Sequence, residues 1–272
     1  MHKGRGSTWW APFVQDLYDC AGSLQRVPAP VPNETLEEAD GAKWLCGMTN
    51  LARKNERCDV LSVGSNFNDK FESSMHEVAG CRSYVIDPTL LRGPSETASA
   101  QVAAFAERLS QRGDILNSSV GVGPSGGALR LPGRNATLVA LSTLLHEARQ
   151  QHGFFAGGHL SSDQGGQLHV HVFKADTDTY EFDILPELFD LCASGRLRVG
   201  QLLIEVHAGG WFLGAAARGR SASEAYGLFR GALACGLLLH HHESNLLSNE
   251  RDVEVSWVNI AHAAMQGKAY SE

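Results

Sequence analysis

The chain has 272 residues, of which 43% are apolar and 19% are charged, and its formal net charge is −7. This composition is typical of a globular protein with a full core, and the length suits one large α/β domain with a short extension. The acidic balance argues against a surface that binds nucleic-acid phosphates, and no stretch approaches the ~18 apolar residues of a membrane span.

Residues 1–40 are predicted to be an N-terminal extension, and residues 41–272 form the predicted main domain. The stretch QRVPAPVPNET is rich in proline and has no helical period, so we interpret it as an extended linker. Trp9 and Trp10 are more typical of packing onto the main domain than of a binding platform. The first residues lack the continuous apolar run and the clear cleavage site of a signal peptide.

The cysteines and glycosylation sequons leave the compartment open. None of the six cysteines forms a CxxC pair, which argues against a zinc ribbon or a thioredoxin-like motif. An even number of cysteines fits disulfides, and buried free thiols fit equally well. Sequons begin at Asn33, Asn117 and Asn135 and permit secretion without showing it. The cytoplasm and the secretory pathway both remain possible.

From Cys58 onward, apolar strands alternate with helices. The predicted strands are CDVLSVGSN, CRSYVIDP, DILNSSVGV, LHVHVFKAD and VGQLLIEVH, followed by a closing antiparallel hairpin of LLLHHHESN and DVEVSWVNI. This alternation predicts a mainly parallel α/β sheet with helices on both faces.

The predicted helices carry recognisable end signals. NDKFESSMHEVAG has Phe71, Met75 and Val78 at helical spacing and ends at Gly80. The other predicted helices are SETASAQVAAFAERLSQRG with Ser95 as its N-cap, residues 138–149, YEFDILPELFDLCASG with a kink at Pro186, and SASEAYGLFRGALACG capped by Ser221 or Ser223.

Polar residues follow the predicted strands at their carboxyl ends, where ligands bind in open α/β sheets. In strand order they are Gly64, Ser65 and Asn66; Asp87; Asn117 and Ser118; Asp176 and Asp178; and His207. Gly64 allows close backbone approach to a ligand, and a carboxylate at Asp87 is the expected partner of two ribose hydroxyls. The pattern therefore predicts a nucleoside site at this edge of the sheet.

The loop after the first of these strands distinguishes between two kinds of nucleoside ligand. A dinucleotide needs the sequence GxGxxG to hold its pyrophosphate, but this loop reads GSNFND and brings in Asp69. S-adenosylmethionine has a ribose and an adenine but no phosphate, so it suits the loop better. An NAD(P)-dependent oxidoreductase remains a less favoured alternative.

Four segments in the same order resemble class I S-adenosylmethionine-dependent methyltransferases, most closely the FkbM-type and methyltransferase-like families. They are SVGSNFNDKFE, LNSSVGV, FKADTDTYEFDIL, and LLIEVH with HHHESN and VEVSWVN. The resemblance covers most of the chain from about Asp40 to Ile260. It implies a seven-stranded Rossmann-like sheet and methyl transfer, commonly to a hydroxyl group of a small molecule or glycan.

The resemblance also implies roles for individual residues. Gly64, Ser65 and Asn66 would face the methionine and ribose, Asp87 the ribose, and Asn117 and Ser118 the adenine. Asp176, Asp178 and Glu181 would line the methyl-transfer pocket. The sequence departs from the family at Asp178-Thr179, where Glu-Gly is usual, and at Val122, where an acid is common.

Methyl transfer to a hydroxyl with a high pKa benefits from a general base. His207 is the first candidate because the pKa of an unperturbed histidine is near ~6.5, and Asp178 is the second. His207 is otherwise a surface residue at a strand end, and Glu181 and Asp183 are otherwise acids that stabilise a helix dipole.

Other features lead to weaker hypotheses. The run His240–His242 and the pair His169 and His171 each align only two imidazoles, so we predict no metal site. Trp211 and Phe212 lie in a loop that is either a substrate lid or simply packed, and Asn245 is a possible pocket residue. A degenerate methyltransferase-fold domain that binds a partner without catalysis is the main alternative function.

Overall fold

A computed structural model describes residues 16–20, 23–35, 39, 41–51, 57–91, 96–131, 134–156, 167–207, 220–245 and 252–259. Three expectations concern residues outside these ranges: the packing of Trp9 and Trp10, the capping by Ser95, and the loop of Trp211 and Phe212. Among the described helices, none combines the length and apolar content needed to cross a lipid bilayer.

The secondary structure alternates between strands and helices. The strands are β1 (Leu24–Val27), β2 (Lys43–Cys46), β3 (Asp59–Val63), β4 (Arg82–Ile86), β5 (Ile115–Asn117), β6 (Val120–Val122), β7 (Ala128–Leu131), β8 (Arg134–Val139), β9 (Leu168–Ala175), β10 (Leu197–His207), β11 (Leu237–Ser244) and β12 (Asp252–Asn259). The helices are α1 (Met48–Leu51), α2 (Lys70–Ala79), α3 (Glu96–Ser110), α4 (Leu141–His152), α5 (Glu181–Ala193) and α6 (Ala222–Ala234), with a 3-10 turn at Pro88–Leu91.

A seven-stranded sheet in the order β11-β12-β10-β9-β3-β4-β5 forms the centre of the fold. The five strands from β10 to β5 in this order run parallel, whereas β12 is antiparallel to both β10 and β11. The strand order reverses between β3 and β9, which are neighbours in the sheet but lie more than a hundred residues apart. The predicted Rossmann-like sheet with an antiparallel closing hairpin is confirmed.

The helices cover both faces of the sheet because its strands are apolar on both sides. Helices α4, α5 and α6 bury their apolar residues against one face in the largest core cluster. Helix α2 packs on the opposite face together with β1, β2 and α1, and α3 packs beside them against β4. Strands of a sheet covered on both faces are buried on both sides, and β3 is buried along its whole length and β4 after its first residue.

The predicted helix ends are partly confirmed. Gly80 ends α2 with a φ of 64°, and Ser221 caps α6 in a reciprocal capping box with Glu224. Pro186 lies inside α5. Val78 was expected on the apolar face of α2, but it is 52% exposed because α2 turns Phe71 and Met75 toward the sheet.

The predicted helix over residues 138–149 is wrong in its first turn. Residues 134–139 form β8, the middle strand of a three-stranded sheet in the order β6-β8-β7, and the helix begins only at Leu141. Ala136 and Leu138 are buried while the intervening Thr137 is exposed, which is a period of two rather than 3.6. The glycines and prolines around this segment had suggested a loop.

The N-terminal segment packs onto the main sheet. Strand β1 pairs antiparallel with β2, so residues 25–27, the start of the predicted extended linker QRVPAPVPNET, belong to a sheet. The Gln201 side chain on β10 accepts a hydrogen bond from the Cys46 backbone N–H (2.8 Å) and donates one to the Cys46 carbonyl (2.9 Å). The domain boundary near residue 40 itself stays a prediction.

Two disulfides reinforce this part of the fold. Cys20 pairs with Cys46 and so joins the N-terminal segment to β2, and Cys58 pairs with Cys81 across the start of β3 and β4. Cys192 and Cys235 are free. Four of the six cysteines thus form disulfides, and the other two are partly buried free thiols.

Gly64 lies where the chain leaves β3 at the point of strand-order reversal. Its φ is +81°, and a Cβ atom placed there would lie 1.8 Å from the backbone oxygen of Asp176. The Lys174 Nζ donates a hydrogen bond to the Gly64 carbonyl (3.0 Å). Only glycine fits this position, because it alone tolerates both the left-handed backbone and the close approach of a second strand.

We predict that Gly64→Ala lowers the free energy of unfolding by about 3 kcal/mol or more, because a clash adds to the backbone strain. Gly80→Ala is the matched control: its φ is +64° but nothing lies within 4 Å of the added atom, so about 1 kcal/mol is expected. Urea unfolding with intact disulfides measures both. Equal losses would contradict the proposed crowding at Gly64.

Candidate functional site

A cavity of about 440 Å³ opens at the carboxyl ends of β3, β4, β9 and β10, next to the strand-order reversal. Its polar lining includes the side chains of Ser65, Asn66, Asn68, Asp87, Thr89, Lys174, Asp176, Thr177, Asp178, Tyr180, Glu205, His207, Asn245 and Asp252, and its apolar lining includes Phe71, Ile86, Val122, Leu129, Leu138 and Ile184. Most of the residues predicted from the strand ends therefore converge on one cavity.

Asp87 is buried at the cavity wall and holds the loop that follows β3. Its Oδ2 accepts hydrogen bonds from the backbone N–H groups of Ser65 and Asn66 (both 2.8 Å) and from the Ser65 hydroxyl (3.2 Å). Its Oδ1 accepts from the Thr89 N–H (2.9 Å) and hydroxyl (2.5 Å). These five bonds exceed the roughly four acceptor sites of a carboxylate. Asp87 is therefore occupied within the chain, unlike the free ribose acceptor that the sequence suggested.

Asn117 and Ser118 do not line the cavity. The Asn117 Oδ1 accepts from the Ser119 N–H and hydroxyl (3.2 and 2.8 Å), and its Nδ2 lies 3.4 Å from the Tyr84 hydroxyl. The wall on this side is apolar and is formed by Val122, with Leu129 and Leu138 from the small sheet. Sequence reasoning missed the two leucines because it assigned that segment to a loop and a helix.

Asp176 and Asp178 follow β9 and line the cavity with side chains that are 31% and 38% exposed. Asp178 and Thr179 both have positive φ, 48° and 88°. A β-branched residue strains this conformation, whereas the glycine usual in the resembling family does not. Residues 178 and 179 therefore adopt backbone conformations that favour glycine, although neither residue is glycine.

Glu181, the first residue of α5, is completely buried and contacts His207 instead of lining the cavity. Its Oε1 accepts from the His207 backbone N–H (2.7 Å) and lies 3.2 Å from Nδ1 of the same ring. The other ring nitrogen, Nε2, faces the cavity and lies 3.8 Å from Asp176 Oδ1 and 4.0 Å from Asp178 Oδ1.

The charges around His207 change its expected role. Burial alone would lower its pKa, but the Glu181 carboxylate, helped by Glu205 and Asp176, outweighs burial and raises the pKa to about 11. The imidazole is therefore protonated at neutral pH and has no free lone pair with which to accept a proton. This argues against His207 as the general base and leaves Asp178 as the candidate.

A row of carboxylates crosses four neighbouring strands beneath the cavity. Glu243 on β11 faces Glu254 on β12, Glu254 faces Glu205 on β10, and Asp176 lies directly after the end of the next strand, β9. Lys43 from β2 lies over the row, is 1% exposed and forms a salt bridge with Glu254. We name these four acids the carboxylate row.

The acids of the carboxylate row perturb one another and Lys43. Burial and then the Asp176 and Glu254 carboxylates raise the pKa of Glu205 well above its ordinary value. Burial would also raise the pKa of Asp176, but Lys43 and His207 hold it below its ordinary value. Burial would lower the pKa of Lys43, whereas the attraction of Glu254, Asp176 and Glu205 raises it. Lys43 therefore stays charged inside the fold.

Sequence reasoning missed Lys43, Glu205 and Glu254. The available signal was a carboxylate within an apolar strand, as in LIEVH and VEVSW, because buried acids are rare without a partner. Lys43 gave no comparable signal, since its partners lie on strands far along the chain. Asn245, suggested as a pocket residue, lines the cavity and donates to Glu205 Oε1 (2.6 Å).

The histidine pairs of the sequence do not converge on the cavity. His169 and His171 stack on each other at 4.1 Å, and His171 Nδ1 accepts from the Asp59 N–H (3.1 Å). His240 is 4% exposed, and burial followed by His241 lowers its pKa to about 4. Burial also lowers the pKa of His169 to about 3, so His169 and His240 are packed and neutral, whereas His242 is exposed and lies 3.0 Å from Asp16 Oδ1.

A family model described as "Methyltransferase domain" matches residues 13–102, which include β3, α2, β4, the loop from Gly64 to Asn66, and Asp87. A search of curated proteins finds no match. The match thus covers the strands and loop that form one side of the cavity.

Several solved structures are similar to this chain at low identity. The Methanococcus jannaschii fibrillarin pre-rRNA processing protein is 10% identical, with 74% of this chain and 66% of that chain covered and a TM-score of 0.41. M. capricolum TrmK, solved with S-adenosylhomocysteine, is 7% identical, with coverages of 78% and 67% and a TM-score of 0.39.

Burkholderia thailandensis 1,6-didemethyltoxoflavin-N1-methyltransferase, solved with bound 1,6-didemethyltoxoflavin and S-adenosylhomocysteine, is 13% identical, with coverages of 75% and 72% and a TM-score of 0.38. This chain spans slightly less than two thirds of the fibrillarin protein's length.

We predict that Glu205→Gln raises the free energy of unfolding near neutral pH by about 0.5–2 kcal/mol, because a neutral amide replaces a buried acid whose ionisation is unfavourable. The pKa of Glu205 is raised in the folded state, so its contribution is fully present below the ordinary value near 4.5 and is lost as pH rises. The free energy of unfolding gained by Glu205→Gln should therefore be near zero at pH 4 and increase as pH rises. Urea unfolding in the presence of EDTA measures it.

Glu243→Gln is the matched control in the same carboxylate row. A hydrogen bond with His241 lowers the pKa of Glu243, so its replacement should lower stability near neutral pH rather than raise it. Changes of the same sign in both variants would contradict the assigned charge states.

We predict that His207→Gln lowers the free energy of unfolding by about 3–5 kcal/mol at pH 7, because it leaves the buried Glu181 carboxylate without its cation. The pKa of His207 is raised to about 11, so its contribution is full below its ordinary value of 6.5 and is lost as pH rises through 11. In urea unfolding, the decrease in the free energy of unfolding caused by His207→Gln should become steadily smaller between pH 7 and pH 10.5. A loss that does not vary with pH would mean that the ring is neutral in the folded protein.

Proposed function

We propose that this protein is an S-adenosylmethionine-dependent methyltransferase that methylates an oxygen atom of a small molecule or glycan. The observation that carries the proposal is the cavity at the strand-order reversal, one side of which is formed by the segment that matches a methyltransferase domain. Open α/β sheets bind ligands at this position. The cavity of about 440 Å³ falls in the range of small-molecule sites.

The cavity offers a different environment to each part of this cofactor. The apolar wall of Val122, Leu129 and Leu138 suits the adenine ring, since a flat aromatic base gains most from apolar contact. The hydroxyls of Ser65 and Thr89 line the cavity beside Asp87 and suit the ribose. Asp87 can bind the ribose directly only if one of these hydroxyls gives up its hydrogen bond.

The acids on the opposite side suit the cationic end of the cofactor. Asp176 stays ionised because its pKa is held below the ordinary value, so it attracts an ammonium or sulfonium group. Such an acid favours binding more than rate, because the positive charge disappears during methyl transfer. The bound cofactor would supply an electrophilic methyl group, and the chain would orient the acceptor in line with it.

The proton of an acceptor hydroxyl needs a base at the cavity. Asp178 lines the cavity with a side chain that is 38% exposed, so it can reach an acceptor while His207 remains protonated. We therefore assign the general base to Asp178 and a charge-balancing role to His207.

The loop after β3 weighs against a dinucleotide cofactor. The N–H groups of Ser65 and Asn66, which would have to hold a pyrophosphate, already donate to Asp87. A diphosphate would also meet the Asp87 carboxylate, and like charges repel in a buried site. This observation disfavours the NAD(P)-dependent oxidoreductase.

The same charges bear on the acceptor. Asp176, Asp178 and Asp252 line the cavity, so a polyanionic acceptor would be repelled close to the methyl-transfer position. Neutral or cationic small molecules and glycans fit better.

One observation favours the alternative of a degenerate domain that only binds a partner. Because Asp87 is fully engaged within the chain, the usual ribose contact has to be rearranged before a cofactor binds. Cofactor binding is therefore the property that separates the two functions.

Two disulfides favour an oxidising compartment as the place where the protein works. The sequon residue Asn33 is exposed and has the φ of 60° typical of a turn, which fits glycosylation in that compartment.

We predict saturable binding of S-adenosylhomocysteine in titration calorimetry with the purified full chain. Asp176→Asn should weaken it about tenfold, because it removes the carboxylate proposed to bind the ammonium group of the ligand. Asp183→Asn removes the same charge outside the cavity lining and should leave the affinity unchanged. NAD should not bind. A chain that binds no S-adenosylhomocysteine would favour the degenerate domain.

A further inference from the structure

We propose that Asp176, Glu205 and His207 bind a divalent metal ion of the Mn²⁺ or Mg²⁺ type at the floor of the cavity. The ligand atoms of these three residues lie within 4.8 Å of one another, a group of the kind that holds metal ions. Two carboxylates and one imidazole are a donor set suited to such ions.

The orientation of the His207 ring is the first argument. The side chain is 9% exposed, and Nδ1 is directed toward Glu181 Oε1 at 3.2 Å. A histidine that binds a metal through one nitrogen usually donates its other N–H to a carboxylate in this way, which fixes the ring. Glu181 therefore leaves Nε2 directed into the cavity, where a bound metal ion would replace the proton that this nitrogen carries in the metal-free protein and release it to solvent.

The surroundings of Nε2 are the second argument. Its nearest carboxylate oxygens are Asp176 Oδ1 at 3.8 Å, Glu205 Oε1 at 3.9 Å and Asp178 Oδ1 at 4.0 Å. All three distances exceed a hydrogen bond, so a buried ring nitrogen is aimed at three carboxylates without bonding to any of them. Ligands held about 2.0–2.3 Å from one ion are separated by similar distances, roughly 3–4 Å.

The balance of charge is the third argument. Lys43 is bound to Glu254, away from the His207 end of the carboxylate row, and Lys174 is directed to Gly64 and Glu72. Asp176 and Glu205 have His207 Nε2 beside them at 3.8 and 3.9 Å and Lys43 farther away, and neither cation is hydrogen-bonded to these two acids, so a metal ion would balance their charge at bonding distance. The Asn245 amide donates to Glu205 Oε1 (2.6 Å) and fixes its orientation.

The effect of a bound metal ion on the reaction rests on the proposed function, whereas the binding of the metal ion itself does not. A divalent ion next to Asp178 would coordinate an acceptor hydroxyl and lower its pKa, so that the oxygen loses its proton to Asp178 before it attacks the methyl group. The substrate class would then be compounds with an acidic or chelating hydroxyl pair rather than simple alcohols.

The test measures Mn²⁺ binding to the EDTA-stripped full chain by the loss of the free Mn²⁺ signal in electron paramagnetic resonance. We expect one Mn²⁺ per chain, and a dissociation constant that rises at least about tenfold in Glu205→Gln and in Asp176→Asn. Asp183→Asn should bind like the wild type. Asp176 lies on a partly exposed loop, so its variant keeps the test valid if Glu205→Gln is misfolded.

The results separate the competing occupants of the site. Absence of saturable Mn²⁺ binding, or equal affinity in the wild type and both ligand variants, would overturn the proposal, since a proton on His207 would then balance the acids alone. Displacement of Mn²⁺ by S-adenosylhomocysteine would also overturn the proposal, because the ammonium group of that ligand would then occupy the site instead of a metal ion. Mn²⁺ binding that persists when S-adenosylhomocysteine does not bind would support the metal site and reject the methyltransferase function.

Discussion

A row of four acids across adjacent strands, with Glu205 and Glu254 buried at its centre, is the constraint on which this structure depends. Carboxylates on adjacent strands repel one another, and burial strengthens that repulsion because little water screens it. The fold tolerates the carboxylate row only because Lys43 enters from one side and His207 lies at the other end. Both cations are held by the fold itself, Lys43 by the β1–β2 hairpin and His207 by Glu181. Stability and the proposed function therefore depend on the same side chains.

The N-terminal segment contributes to this charge network through Lys43, which forms a salt bridge with Glu254 of the carboxylate row. Strand β2 carries Lys43 and is tied to β1 by hydrogen bonds, to Cys20 by a disulfide and to Gln201 on the main sheet by two further bonds. Each contact restricts where the ammonium group can lie. Because a buried lysine without its partners would be costly, the position of β2 is coupled to the charge state of the acids beneath it.

The loop after β3 shows a second coupling between structure and chemistry. Gly64 lets two backbones approach at the strand-order reversal, and Asp87 then draws the N–H groups of the next two residues toward itself. The loop is thus organised before any ligand binds. The same bonds remove the donors that a diphosphate needs, so the geometry that forms the cavity also selects against one class of cofactor.

The sequence by itself determined the seven-strand α/β fold and the edge of the sheet at which the cavity lies, because strand periodicity and the residues after each strand are local signals. It also identified Asp176, Asp178 and Gly64 at that cavity. Only the tertiary structure decided that His207 is a cation, that Asp87 is engaged within the chain, and that Lys43, Glu205 and Glu254 belong to one network. Those properties depend on distances between strands that lie far apart along the chain, and a pKa is set by such neighbours and by burial rather than by residue type.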